Sequence, residues 1–181
     1  MVRKRREWYP GATYHIMSRG IRKLPIFYDD EDRKVYLKQM LKVRERYPFK
    51  LHCYCLMTNH IHLLLETDQF PPSDIIRLLH TRYAIYFNHR HQLSGHVFQG
   101  RFTAKLIDSL TYFLEASRYI HRNPMEAGMA EKAQDFLWSS YIAYFDTSVL
   151  PFITTEKTLS YFESPSAKNY QLFVEMERSD E

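Results

Sequence analysis

The sequence predicts an α+β sandwich, with a central antiparallel sheet, helices on its faces and a helical C-terminal extension. Three observations predict it. Four short segments, near 14–18, 51–57, 60–66 and 103–107, have the apolar character and bounding turns of strands. Three longer ones, within 29–47, 74–90 and 109–123, repeat apolar residues at helical spacing. The chain has 181 residues, 45% hydrophobic and 25% charged. That is ordinary for one globular domain, which at this size buries roughly 70% of the surface its unfolded form exposes.

Tyr14-His15-Ile16-Met17-Ser18, after Pro10-Gly11, reads as a first strand. Asp29-Asp30-Glu31-Asp32 is an acidic start that suits a helix dipole. That helix carries Val35, Leu37, Met40, Leu41 and Val43 to about Tyr47, where Pro48 stops it. Leu51 to Met57 is a strand, Thr58-Asn59 a two-residue turn, and His60 to Glu66 the returning strand. Gln69 to Ser73, with two prolines, is a loop. A second helix from Asp74 to about Arg90 aligns Ile75, Leu78, Leu79, Tyr83, Tyr86 and Phe87. Ser94-Gly95 breaks the chain before the strand Thr103 to Ile107. Asp108 or Ser109 can cap a third helix that Pro124 limits, with Gly128 marking the turn beyond it. The order β-α-β-β-α-β is that of the ferredoxin-like split βαβ fold. A different α+β order, or a helical bundle with a hairpin, is the alternative. Residues after 147 read as two short helices, near 154–162 and 166–177, so the expected division is a domain of 1–146 and an extension of 147–181.

No apolar run reaches the 18–20 or so residues of a membrane helix, and no secretory signal is legible at the N-terminus. Cys53 and Cys55 are too close for an unstrained bridge and read as reduced thiols of a cytoplasmic protein. Charge is unevenly spread. Residues 1–125 hold 21 of the 25 Lys and Arg but 11 of the 21 Asp and Glu, and all nine histidines. The first two thirds therefore have the surface of a polyanion binder, while the acidic remainder does not.

Asn59-His60-Ile61-His62-Leu63-Leu64-Leu65-Glu66 is the most informative stretch. On a strand His60 and His62 share a face, and Ile61, Leu63 and Leu65 point to the opposite one. Two imidazoles from one rigid strand make a pair of metal ligands; the same spacing also suits two histidines on a wet sheet face. Tyr119 and Asn123, at i and i+4, are neighbours on the third helix. An amide oxygen from Asn123 can complete a coordination shell, and the Tyr119 phenol can then serve as a nucleophile. By spacing alone a helix tyrosine such as Tyr119 is more often an ordinary core or rim residue. Cys53 and Cys55 near the histidines raise a zinc site, but strand alternation favours buried thiols, on the face away from the histidines. Glu66 shares the histidines' face and can orient a ligand or simply end the strand in solvent.

These motifs resemble those of a known family. His60-Ile61-His62 is similar to the His-hydrophobe-His motif of the HUH single-strand endonucleases. The whole chain resembles REP-associated tyrosine transposases in five separated blocks between about residues 8 and 145. These are Tyr14 to Gly20, Met57 to Leu64, Phe98 to Phe102, Arg118 to Pro124, and Ala127-Gly128 with Trp138 to Tyr141. The resemblance implies that Tyr119 is the nucleophile, and that His60, His62 and Asn123 hold Mg²⁺ or Mn²⁺. It implies cleavage and rejoining of hairpin-flanked single-stranded DNA of repetitive palindromic elements, through a 5′-phosphotyrosyl link. Arg101 falls within the family pattern, and with Arg19, Arg22, Lys105 and Arg122 it is an expected DNA contact; Arg122 equally suits a helix-end cation, and the Arg3 to Arg6 run either lies along phosphates or is a solubilising terminus. It further implies a cytoplasmic, nucleoid-associated monomer rather than a homodimer, with no membrane partner. A hairpin-binding protein without catalysis and a zinc hydrolase that uses water are the rival readings.

Overall fold

The computed structural model describes residues 7–176, so Arg3 to Arg6 lie outside the described residues. The elements are β1 (Thr13–Arg19), α1 (Asp30–Arg46), β2 (Phe49–Leu56), β3 (His60–Thr67), α2 (Pro72–His91), β4 (Thr103–Leu106), α3 (Leu110–Glu126), α4 (Glu156–Leu159) and α5 (Ser166–Glu175). The strands form one antiparallel sheet in the order β2-β3-β1-β4, which is the split βαβ arrangement with helices on both sides.

Local chemistry sets the helix ends. The Asp29 carboxylate accepts the Asp32 amide at 3.1 Å and caps α1. Ser109 does the same for α3 through the Tyr112 amide at 3.2 Å. Pro124 does not limit α3 as expected; the helix runs through it to Glu126. One missing amide in the last turn is tolerated because the end is secured another way. Gly128, at φ 66°, and Met129 donate to the carbonyls of Met125 and Pro124, at 3.0 and 2.8 Å. That pair of bonds is a Schellman closure.

Strand register divides the side chains. Tyr14 and Ile16 on β1, Ile61, Leu63 and Leu65 on β3 and Tyr54 on β2 share the face beneath α1 and α2, and all are buried. The opposite face has two halves. Over β2 and β3 it is covered by α3, which packs on both strands. Over β1 and β4 it is bare: Met17 is 39% exposed, and Thr103 and Lys105 are open. An irregularity between Leu51 and Cys53 turns His52 toward the α3 face, where its ring meets Phe113 at 5.1 Å.

The C-terminal segment closes the β2 edge. Thr154 donates to Leu51 O at 2.8 Å, and Tyr170 is buried against Tyr144 with ring centroids 4.4 Å apart. Glu66 sits among Lys50, His52 and Lys157, at 2.8, 3.2 and 2.6 Å. The hydrogen bond from His52 and those from the two lysines hold its carboxyl well below the usual range, against the cost of burial. Glu66 thus ties α4 to the sheet and takes no part in the histidine site.

Two predictions follow from this packing. Burial lowers His80 and His121 to about 3. In the unfolded chain both take up protons below about 6.5. Their contribution is therefore complete above that pH and drains as pH falls toward 3, by on the order of 1 kcal/mol per pH unit per ring. The His80 ring stacks on Phe98 at 3.9 Å. His80→Phe keeps the stack, so melting curves from pH 7.5 to 4 should show a shallower loss than the parent. Gly20 has a different constraint: a Cβ there would run into the Leu24 carbonyl oxygen and lie 2.9 Å from Ile26 Cγ2. Gly20→Ala should cost roughly 1–3 kcal/mol in denaturant unfolding.

Candidate active site

β3 presents His60 and His62 on the face that α3 crosses. The rows of the sheet bring them company. Arg19 stands opposite His60, Met17 opposite His62 and Thr103, and His15 opposite Leu64 and Lys105. Directly opposed residues share a face. His15 is therefore the diagonal neighbour of His62, and the two rings bond, His15 Nε2 to His62 Nδ1, at 3.0 Å.

α3 supplies the other half. Asn123 Oδ1 lies 3.0 Å from His60 Nε2. The Tyr119 ring, one turn earlier, stands edge-on to His62 with centroids 5.4 Å apart, and 5.8 Å from His15. His60 and His62 are 5.1 Å apart. Tyr119 is 37% exposed, whereas His62 and Asn123 are buried. The four residues expected to carry the chemistry therefore meet at one place, with the phenol open to a ligand.

Two partners that sequence reasoning missed orient the imidazoles. Asn59 Oδ1 holds His60 Nδ1 at 2.7 Å, while its Nδ2 donates to Lys23 O at 3.1 Å. His15 holds His62 Nδ1. Both Nδ1 atoms are thus engaged, which leaves Nε2 as the nitrogen each ring can offer a ligand, that of His60 beside Asn123 Oδ1; this is the pattern of metal-binding histidines. The turn that carries Lys23 keeps Arg22 and Lys23 at φ 53° and 62°, a region non-glycine residues seldom enter. The signal for Asn59 was its place beside His60; His15 became legible only through strand register.

Burial lowers His62 to about 3, with further depression from His15 and His60. Burial, then the Lys105 charge, lowers His15 to about 4. Burial also lowers His60, opposed by its bond to Asn123. Neutral imidazoles are the form that binds metal. Among the described residues no group of three or more His, Cys, Asp and Glu is arranged to hold a metal ion. The candidate donor set is two imidazoles and an amide oxygen, since His15 is turned to His62. The 3.0 Å between His60 Nε2 and Asn123 Oδ1 suits adjacent ligands of an octahedral ion with bonds of about 2.1 Å. The residues fit a small divalent ion.

The remaining expected residues separate into two groups. Arg19 and Arg101 line a cleft of about 320 Å³ beside His60, His62 and Tyr119, walled by Phe98 and Phe102. Lys105 lies on a second cleft, across Tyr119 from the first. Arg22 is exposed on the turn after β1. Arg122 points away: it donates to Val174 O and Met176 O, at 2.8 and 3.0 Å, at the C-terminal end of α5. Cys53 and Cys55 are fully buried, and burial pushes both thiols up. Their expected face is corrected: Cys55 pairs with His62 and Cys53 with Leu64, so they share the histidines' face, beneath α3.

Comparison with known proteins bears on this arrangement. The family described as "Transposase IS200 like" matches residues 9–123, from before β1 to Asn123. A Haemophilus influenzae protein, classed by name with the REP-associated tyrosine transposases, is 27% identical over 156 residues, covering 78% of this chain and 86% of that protein. A solved structure of a REP-associated tyrosine transposase bound to a REP hairpin superposes with a TM-score of 0.69. It is 18% identical and covers 86% of this chain and 90% of its own. Among the described residues no helix is long and apolar enough to cross a membrane. The family match takes in every residue of the histidine, tyrosine and asparagine cluster, and the chain belongs to the IS200-like transposases.

Proposed function

We propose that the protein is a metal-dependent, single-tyrosine transposase that cleaves and rejoins hairpin-flanked single-stranded DNA. One observation carries the reading: the exposed Tyr119 stands with its ring 5.4 Å from that of His62, which neighbours His60, and His60 Nε2 meets Asn123 Oδ1 at 3.0 Å. The family match and the likeness to a hairpin-bound REP-associated transposase support the same substrate class.

His60, His62 and Asn123 would hold Mg²⁺ or Mn²⁺, which when bound polarises the scissile phosphate. Asn59 and His15 aim the two imidazoles, and burial keeps them neutral. Tyr119 Oη attacks phosphorus, the bond from phosphorus to the 3′-oxygen breaks, and the proton lost by the phenol ends on the freed 3′-hydroxyl. The product is a 5′-phosphotyrosyl end, and the reverse attack rejoins the strand with no outside energy source. Arg19 and Arg101, at the cleft beside the phenol, would bind the flanking phosphates.

The purified protein should form a covalent adduct with a hairpin-bearing single-stranded oligonucleotide in Mn²⁺, seen as a shifted band on a denaturing gel. Tyr119→Phe and excess EDTA should each abolish it; an adduct in Tyr119→Phe would assign the nucleophile elsewhere. Arg101→Ala should reduce the salt slope of oligonucleotide binding by about one. Arg122→Ala should leave that slope unchanged and lower the melting temperature, because its partners are carbonyls of the C-terminal segment.

A further inference from the structure

Tyr119 stands between two clefts. Both are bordered by Met17, His62, Thr103 and Tyr119. The first, about 320 Å³, continues past His60 to the 98–103 loop. The second, about 340 Å³, lies between α3 and the β1–β4 half of the sheet. Both lie in the range of pockets that enclose small organic groups.

The second cleft has a particular construction. Tyr112, Ala116 and Tyr119 follow one another along α3 at i, i+4 and i+7, so two rings flank a methyl group. Met17 and Thr103 supply the sheet side. Lys105 brings a cation and Glu115, which also pairs with Arg118 at 3.6 Å, brings a carboxylate. A flat ring with both hydrogen-bond donors and acceptors matches these walls. A bare phosphate does not, because the carboxylate opposes it.

We propose that this cleft is a nucleoside subsite, and that it takes the nucleoside retained on Tyr119 after cleavage. The assignment rests on the transposase reading above. In an in-line displacement the leaving oxygen lies across phosphorus from the attacking one. With phosphorus between the phenol and the His60–His62 pair, the leaving 3′-oxygen and its nucleoside point into the first cleft. The 5′-oxygen of the retained nucleoside is off that line, and its sugar can turn back past Tyr119. Its base then stacks beside Tyr112, and Lys105 meets the next phosphate.

The test is covalent-adduct formation in Mn²⁺ with a hairpin oligonucleotide that the parent protein cleaves. An abasic residue is placed either just 3′ or just 5′ of the scissile phosphate. In the parent and in Tyr112→Phe, the 3′ abasic residue should slow the adduct roughly tenfold, the loss expected for one stacked base. In Tyr112→Ala the intact oligonucleotide should already be slowed to that extent, and the 3′ abasic residue should slow it no further. The 5′ abasic residue should act equally in all three proteins. Melting curves of the two variants, with Tyr112→Phe as the folded control, separate unfolding from loss of the subsite. An abasic effect that is unchanged in a folded Tyr112→Ala overturns the subsite, and coupling to the 5′ position overturns the direction assigned. A parent protein that forms no adduct with any hairpin oligonucleotide removes the transposase reading and this one together.

Discussion

The antiparallel pairing of β3 with β1 decides where the imidazoles of the site can be. Arg19 opposite His60 and Met17 opposite His62 put His15 diagonally against His62, within hydrogen-bond reach. A slip of one residue would send both imidazoles of β3 into the core beneath α1 and α2, and bring Ile61 and Leu63 out in their place. The register is therefore held by the hydrophobic face as much as by the ladder. Ile61, Leu63 and Leu65 are completely buried, and exposing them would cost several kcal/mol in all, at about 1.5–3 kcal/mol for each large apolar side chain. The apolar residues between the histidines are as much a condition of the site as the histidines.

On that foundation the site is assembled from two directions. The sheet supplies two neutral imidazoles with their Nδ1 atoms engaged, and α3 supplies an amide oxygen and a phenol one turn apart. Burial favours the uncharged form of His15 and His62, which also lowers the electrostatic cost of grouping three imidazoles so closely. The uncovered half of the same face is what leaves room beside the phenol for a polymeric substrate.

Sequence reading recovered what is local. Strand alternation placed His60 and His62 on one face, and helical spacing paired Tyr119 with Asn123; each follows from a period within a few residues. The element order was legible for the same reason, and the ends differed by one to three residues for most elements. What escaped depends on contacts distant in sequence. His15 touches His62 across 47 positions, through a register that neither strand announces alone. Arg122 looked like a cation beside the site, but its carbonyl partners are 52 and 54 residues away. The cysteines were assigned the wrong face because their position depends on how β2 pairs with β3 past an irregularity. Pro124 was given too much authority, since the Schellman closure two residues beyond Glu126 holds the last turn together.

The helix that carries Tyr119 is bolted to α5 and to Ser140. His121 lies between Tyr170 Oη and Ser140 Oγ, at 2.7 and 2.9 Å, and Arg122 grips the last carbonyls of α5. These anchors follow Tyr119 by two and three residues. On the transposase reading, a phenol moored in this way keeps one address from scission to resealing. The choreography of strand exchange then falls to the DNA, which must bring a new 3′-hydroxyl to a stationary phosphotyrosine.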